Sequence, residues 1–155
     1  MYAIDSTTGE MRKIIGKILG LTALMSPDAK TILLESSTEG NINTSFYNVL
    51  TKESVRSPVN TFPEKCIWNN VGTDVFCTVP SQIYNADYPD SWYQGLVSFN
   101  DNLWKINKDG TGELLLSSQE MNEPLDGINL MLSNDQGNLF FINKKDSSLW
   151  VYDLK

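Results

Sequence analysis

The sequence predicts an all-β protein built of β-propeller blades: four-stranded antiparallel sheets, about three repeats plus a partial blade. Three observations carry that expectation. Short strand-like runs separated by Gly, Asn, Asp and Ser clusters dominate the chain. Two different sequence elements recur in the same alternating order. Convincing helical periodicity is absent; Ile14, Ile15, Ile18, Leu19 and Leu21 come nearest, but Gly16 and Gly20 interrupt them and favour extended structure.

The first recurring element reads Tyr2-Ala3-Ile4-Asp5, Tyr47-Asn48-Val49-Leu50, Trp104-Lys105-Ile106-Asn107 and Trp150-Val151-Tyr152-Asp153. Its spacings are 45, 57 and 46 residues. An aromatic opens each copy, and the first three copies run into polar hairpin turns at 7–10, 51–54 and 108–113. A further strand follows each of those, at Met11–Ile15, Val55–Val59 and Leu114–Ser117. On this alignment Tyr47 and Trp104 occupy equivalent places.

The second element is a polar turn opening into an apolar strand. Its copies begin at Ser26-Pro27-Asp28-Ala29-Lys30, Asn69-Asn70-Val71-Gly72-Thr73 and Ser133-Asn134-Asp135-Gln136-Gly137. Strands Leu21–Met25, Cys66–Trp68 and Ile128–Leu132 precede them. Each unit thus has four hairpin-linked strands, the layout of a propeller blade. One such sheet cannot bury both faces alone, so blades must stack. The expected division is a partial blade at 1–19, blades at 20–61 and 62–122, and an incomplete blade at 123–155. The alternative of a β-sandwich does not explain two elements repeating in register.

The Ser-Pro-Asp-Ala-Lys run followed by Ile-Leu-Leu resembles the repeat signature of TolB-type, WD40-like propellers, with Ala29 in place of the usual glycine. The stretch from Phe62-Pro63-Glu64-Lys65-Cys66 to Trp92-Tyr93-Gln94-Gly95 resembles bacterial envelope propellers that follow a membrane anchor. The resemblance implies fold far more than function.

Propellers close with roughly 4 to 8 blades. The expected partners of so few repeats are therefore further blades of a longer propeller or other copies of the chain, in a homo-oligomer. Strand Met11–Ile15 is a candidate to complete the last blade, within the chain or in another subunit.

Cys66 and Cys77 flank the turn at 69–74. A hairpin centred between Val71 and Gly72 sets them directly opposite, at bridging distance. A disulfide there would contribute about 3 kcal/mol. It implies an oxidising compartment, hence the cell envelope or outside.

Composition removes several functions. The 155 residues include no histidine, which excludes Ser-His-Asp and Cys-His catalysis and imidazole-held metals. A net charge of −7, with Arg12, Lys13 and Lys17 the densest basic cluster, argues against a nucleic-acid partner. No apolar run of about 18 residues is present to span a membrane. The Asp109-Gly110-Thr111-Gly112-Glu113 run lacks calcium-loop spacing. No phosphate-cradling glycine motif appears, and no cofactor, metal or catalytic residue is expected. The chain reads as not an enzyme.

The second repeat is longer than its neighbours, and the excess falls near Gln82–Gly95. Long loops on rigid scaffolds are where recognition concentrates. Tyr84, Asp87, Tyr88, Asp90, Trp92 and Tyr93 are the candidate binding residues, because aromatic planes beside carboxylates suit sugar rings or peptide side chains. The same residues could instead cap the core. If they bind, removing Trp92 and Tyr93 together weakens binding and leaves the β structure intact. The expected function is a non-catalytic scaffold for a protein or glycan ligand at the cell envelope. The alternative is an accessory, substrate-gating propeller of a larger hydrolase.

Overall fold

A computed structural model describes every residue of the chain except Asn122. It contains thirteen strands among the described residues, arranged in four antiparallel sheets that follow one another along the sequence. The first is a hairpin of β1 (Tyr2–Ile4) and β2 (Met11–Lys13). The second runs β3 (Thr22–Met25), β4 (Thr31–Thr38), β5 (Asn41–Asn48), β6 (Ser54–Arg56). The third runs β7 (Cys66–Trp68), β8 (Asp74–Pro80), β9 (Asp101–Asn107), β10 (Gly112–Leu116). The fourth has β11 (Gly127–Leu132), β12 (Asn138–Asn143) and β13 (Leu149–Asp153).

Each sheet meanders, so every strand pairs with its sequence neighbour. The first strands lie innermost: β7 and β11 run side by side, and β3 meets the 3₁₀ turn Pro63–Lys65 that leads into β7. β2 pairs with β1 and leaves the free edge of β13 alone, so it does not complete the last sheet as one reading of the sequence allowed. Residues 14–21, expected to be extended, form no regular element.

Both faces of the third sheet meet neighbouring sheets. Leu33 and Phe46 of the second sheet pack with Trp68, Val75, Cys77 and Ile106 of the third. Phe76 and Leu103, on the opposite face of the third sheet, pack with Leu130, Leu139 and Phe141 of the fourth. Trp68 donates its indole N–H to the Leu24 carbonyl at 3.2 Å, and the Tyr152 hydroxyl donates to the Leu115 carbonyl at 3.1 Å. Sheets thus stack face to face around a common inner side, and not as a two-layer sandwich.

The recurring turns are physically equivalent. Ser26 and Ser133 each donate to the aspartate two residues on at 2.6 Å, and each accepts the N–H of the residue five on at 3.0 Å. Asn69 plays that part in the middle copy by accepting from Gly72 and Thr73. The fourth position of each turn is left-handed: Ala29, Gly72 and Gln136 have φ of 56°, 74° and 55°. That geometry explains why glycine is usual there.

One alignment needs correction. Ile32, Val75 and Leu139 stand at equivalent places after these turns, and their partners are Tyr47, Ile106 and Tyr152. Tyr47 therefore matches Ile106, not Trp104; the residue matching Trp104 is Ser45. The Asx turns agree: Asp5, Asn48 and Asn107 each accept the N–H of the residue two on. A slip of two keeps every side chain on its own face, because the strand period is two. The blade pattern survives the slip, and the opening aromatic is not a constant feature of the repeat.

Cys66 and Cys77 are Cα partners in the β7–β8 hairpin, 4.1 Å apart, and are joined by a disulfide.

Candidate functional site

The connection between β8 and β9 spans residues 81–100, whereas the equivalent turn between β4 and β5 is Glu39–Gly40. Its base is closed by the Ser81 N–H donating to the Asn100 carbonyl at 2.8 Å. Tyr88–Pro89 is a cis peptide, followed by a single helical turn, α1 (Asp90–Tyr93).

The loop divides the sequence-predicted residues into two groups. Tyr88 and Trp92 turn inward and join Ile42, Phe62 and Phe99 in a buried cluster. The Trp92 and Phe62 rings are nearly parallel, with centroids 5.0 Å apart. Trp92→Ala would thus empty the core, and the expectation that Trp92 and Tyr93 can be removed together without harm to the fold is corrected. Tyr84, Asp87, Asp90 and Tyr93 are exposed. Asp87 and Asp90 form no ion pair among the described residues. The Tyr93 hydroxyl donates to the Glu64 carboxylate, and burial together with that carboxylate pushes the phenol pKa up.

Beneath the loop lies a polar cluster that the sequence reading did not find. Lys65, at the end of the 3₁₀ turn, is fully buried, with its ammonium 2.7 Å from Asp101 and 2.6 Å from Asp126, both also fully buried. Asp126 further accepts from the Trp92 indole, the Ser98 hydroxyl and the Phe99 N–H. Burial pushes the Asp126 carboxyl up, but Lys65 and these donors outweigh it and hold its pKa below the ordinary value. Asp101 goes the other way: burial raises it beyond what Lys65 and the Gly127 N–H offset. Among the described residues, one Asp101 oxygen, Oδ1, has no hydrogen-bond partner. The Lys65 ammonium stands 4.9 Å from the Trp92 ring centre, and Lys144 stands 4.4 Å from it. The cluster anchors the loop to two blades at once. A lysine between Glu64 and Cys66 carries no signal in a single sequence that it will be buried.

Above this base the loop borders two open clefts. One, of about 340 Å³, lies against the β4–β5 turn and is lined by Glu39, Asn41, Asn60, Tyr84 and Asn85. The other, of about 310 Å³, is lined by Val97, Ser98, Asp126, Lys144 and Lys145. The first combines an aromatic plane, three amides and a carboxylate, groups that donate and accept in fixed directions. Among the described residues no three His, Cys, Asp or Glu side chains are grouped to hold a metal ion.

No protein-family model matches the sequence, and no curated protein matches it. Solved structures do. TolB from Acinetobacter baumannii superposes with a TM-score of 0.63 at 17% identity, over 99% of this chain and 35% of that one. The fold is that of β-propeller blades. An oligogalacturonate lyase in complex with manganese gives a TM-score of 0.55 at 15% identity, over 99% of this chain and 41% of that one. A protein from Lactobacillus plantarum gives 0.52 at 14% identity, over 99% and 44%. All three are propellers, and this chain spans less than half the length of each. Within the propeller frame, the 81–100 loop is an elaborated connection between the second and third strands of one blade. No helix among the described residues is long and apolar enough to cross a membrane.

Proposed function

We propose that this propeller segment is a non-catalytic binding scaffold whose recognition surface is the rim of the 81–100 loop, serving a glycan or protein ligand in the cell envelope or outside the cell. The observation that carries the reading is the contrast within that loop. Its underside is fixed by Trp92, Lys65 and Asp126, while Tyr84 and Tyr93 remain exposed above. A pre-ordered aromatic surface binds without a large ordering cost. The amide-rich cleft beside Tyr84 supports a sugar ligand, whose hydroxyls pair with amides and whose ring faces stack on aromatics. The Cys66–Cys77 disulfide supports export, since such bonds persist in oxidising compartments.

The test is titration of neutral and acidic oligosaccharides, and of envelope-exposed peptides, into the chain by calorimetry. Tyr84→Ala with Tyr93→Ala should weaken any observed binding by tenfold or more and leave the β circular dichroism unchanged. Binding that survives the double substitution would place recognition elsewhere. Turnover of an added oligosaccharide would overturn the non-catalytic part of the reading.

A further inference from the structure

Beneath the 81–100 loop positive charge outnumbers negative. Three lysines, Lys65, Lys144 and Lys145, gather with two aspartates, Asp101 and Asp126. Even with both carboxyls ionised, the set carries one positive charge in excess, inside a chain whose net charge is −7. Lys65 takes both carboxylates as ion-pair partners, and Asp126 also accepts from Trp92, Ser98 and Phe99. Lys144 and Lys145 pair with no carboxylate among the described residues. Asp146, next along the chain, turns its carboxylate to the N–H and hydroxyl of Ser148.

Both unpaired lysines line the cleft of about 310 Å³, Lys144 half-buried and Lys145 exposed. Their backbone is held in place. The buried Asn143 side chain accepts from the N–H groups of Asp126 and Lys145 at 3.0 and 3.3 Å, and donates to the Pro124 carbonyl at 3.2 Å. The Lys144 N–H donates to the Asp126 carbonyl at 2.7 Å. The Lys144 ammonium stands 4.4 Å from the Trp92 ring centre and donates to the Trp92 carbonyl. Among the described residues that carbonyl is the one acceptor it meets, so two of its three donors are unused. Burial holds its pKa below the ordinary lysine value; the Asp126 carboxylate opposes this and the Lys65 ammonium adds to it. Val97 gives the same cleft an apolar wall, and Leu96 beside it is 74% exposed.

We propose that this cleft is a subsite for a carboxylate carried next to an apolar group, with the carboxylate on Lys144 and Lys145 and the apolar group against Val97. A carboxylate supplies the missing counter-charge and accepts the donors that Lys144 leaves unused. Asp126 also borders the cleft, and Lys65 at 2.6 Å offsets its charge toward an incoming anion. Pairing at a half-buried ammonium is screened less by water and salt than pairing on an open surface. Peptide C-termini and short aliphatic acids share this chemistry. The 81–100 loop stands between this cleft and the amide-rich one: Tyr84 and Asn85 border the β4–β5 turn, whereas Val97 and Ser98 border Lys144 and Lys145. The inference therefore does not depend on what Tyr84 and Tyr93 bind.

Amide-resolved NMR of the oxidised 155-residue chain tests it, with three probes titrated in turn: N-acetyl-Val-Leu, its C-terminal amide, and hexanoate. The free acid should shift the signals of residues 95–98 and 144–145 saturably, and the amide should bind about tenfold more weakly. Lys144→Gln should abolish the shifts. Because Lys144 also packs on Trp92, the exposed Lys145→Gln is the second variant, and it should weaken binding about threefold with the β circular dichroism unchanged. Hexanoate binding as tightly as the peptide would assign the subsite to aliphatic acids; a peptide at least about tenfold tighter would assign it to peptide C-termini. Equal binding of acid and amide would overturn the proposal. So would binding unchanged in both lysine variants, shifts confined to Tyr84, Asn85 and the β4–β5 turn, or no saturable shift up to about 10 mM free acid.

Discussion

Glu35 shows how a single residue can set the pH response of the molecule. It lies on β4, fully buried, and accepts hydrogen bonds from the Ser37 and Thr22 hydroxyls. No lysine, arginine or amino terminus among the described residues pairs with it. Burial pushes its pKa up to about 7; the two hydroxyls oppose the rise and the Glu64 carboxylate adds to it. The folded state therefore holds a proton that the unfolded chain, near 4.5, has lost. Stability contributed by this group is full below pH 4.5 and falls as pH rises to about 7, by at most about 3 kcal/mol. Urea unfolding across that window should show the decline in wild type and a smaller decline in Glu35→Gln, since the raised Asp101 carboxyl acts in the same sense. A wild-type profile that rises from pH 5 to 7 would contradict the assignment. The Asp126 carboxyl acts in the opposite sense, since its lowered pKa removes stability only as pH falls below the ordinary aspartate range. Neither residue was legible in the sequence. Glu35 sits in the run Leu34-Glu35-Ser36-Ser37, where alternation places a carboxylate on the same face as Leu33 without revealing that a neighbouring blade will cover it.

At the scale of elements, turn chemistry was the most legible layer and side-chain direction in the long loop the least. The Ser-x-Asp and Asn turns declare themselves because their side chains substitute for missing backbone partners within five residues. The disulfide was legible for the same reason, as the turn length alone sets Cys66 against Cys77. The slip of Tyr47 against Trp104 was hidden because a two-residue shift leaves the facing pattern unaltered. In the 81–100 loop, Tyr88 and Trp92 were indistinguishable from Tyr84 and Tyr93, since burial there depends on Phe62 and Asp126 from distant parts of the chain. The turns supply a direct comparison. At Gly72, with φ of 74°, a β-carbon meets only ordinary contacts, so Gly72→Ala carries the backbone penalty alone, about 1 kcal/mol of lost stability. At Ala29 the same penalty is already present, so Ala29→Gly should leave stability unchanged or slightly raised. Chemical denaturation of both variants checks the pair; equal losses would argue against equivalent turns.

For the whole molecule, the order of sheets along the chain is also their order in space, so the repeat pattern alone supplied the architecture. Which faces would stay uncovered followed less directly, because residues 14–21 add Ile14, Ile15 and Leu21 to one face of the second sheet without forming a strand. Stability should be graded accordingly. Sheets with both faces covered open only with the global transition, while those with one face bare open locally. Amide hydrogen exchange of the chain should show greatest protection in β4, β5, β8 and β9 and least in β1, β2 and β13. Uniform protection through β13 would mean that stacking is not what stabilises these sheets.

The carboxylate of Asp126 joins three parts that the chain order keeps apart: Lys65 ahead of β7, Trp92 and Phe99 in the loop, and its own position ahead of β11. Its main chain is tied in addition to Asn143 and Lys144. A loop moored in this way cannot swing as a lid without prising two blades apart. Its tip is held in a preset shape by the same contacts that join those blades.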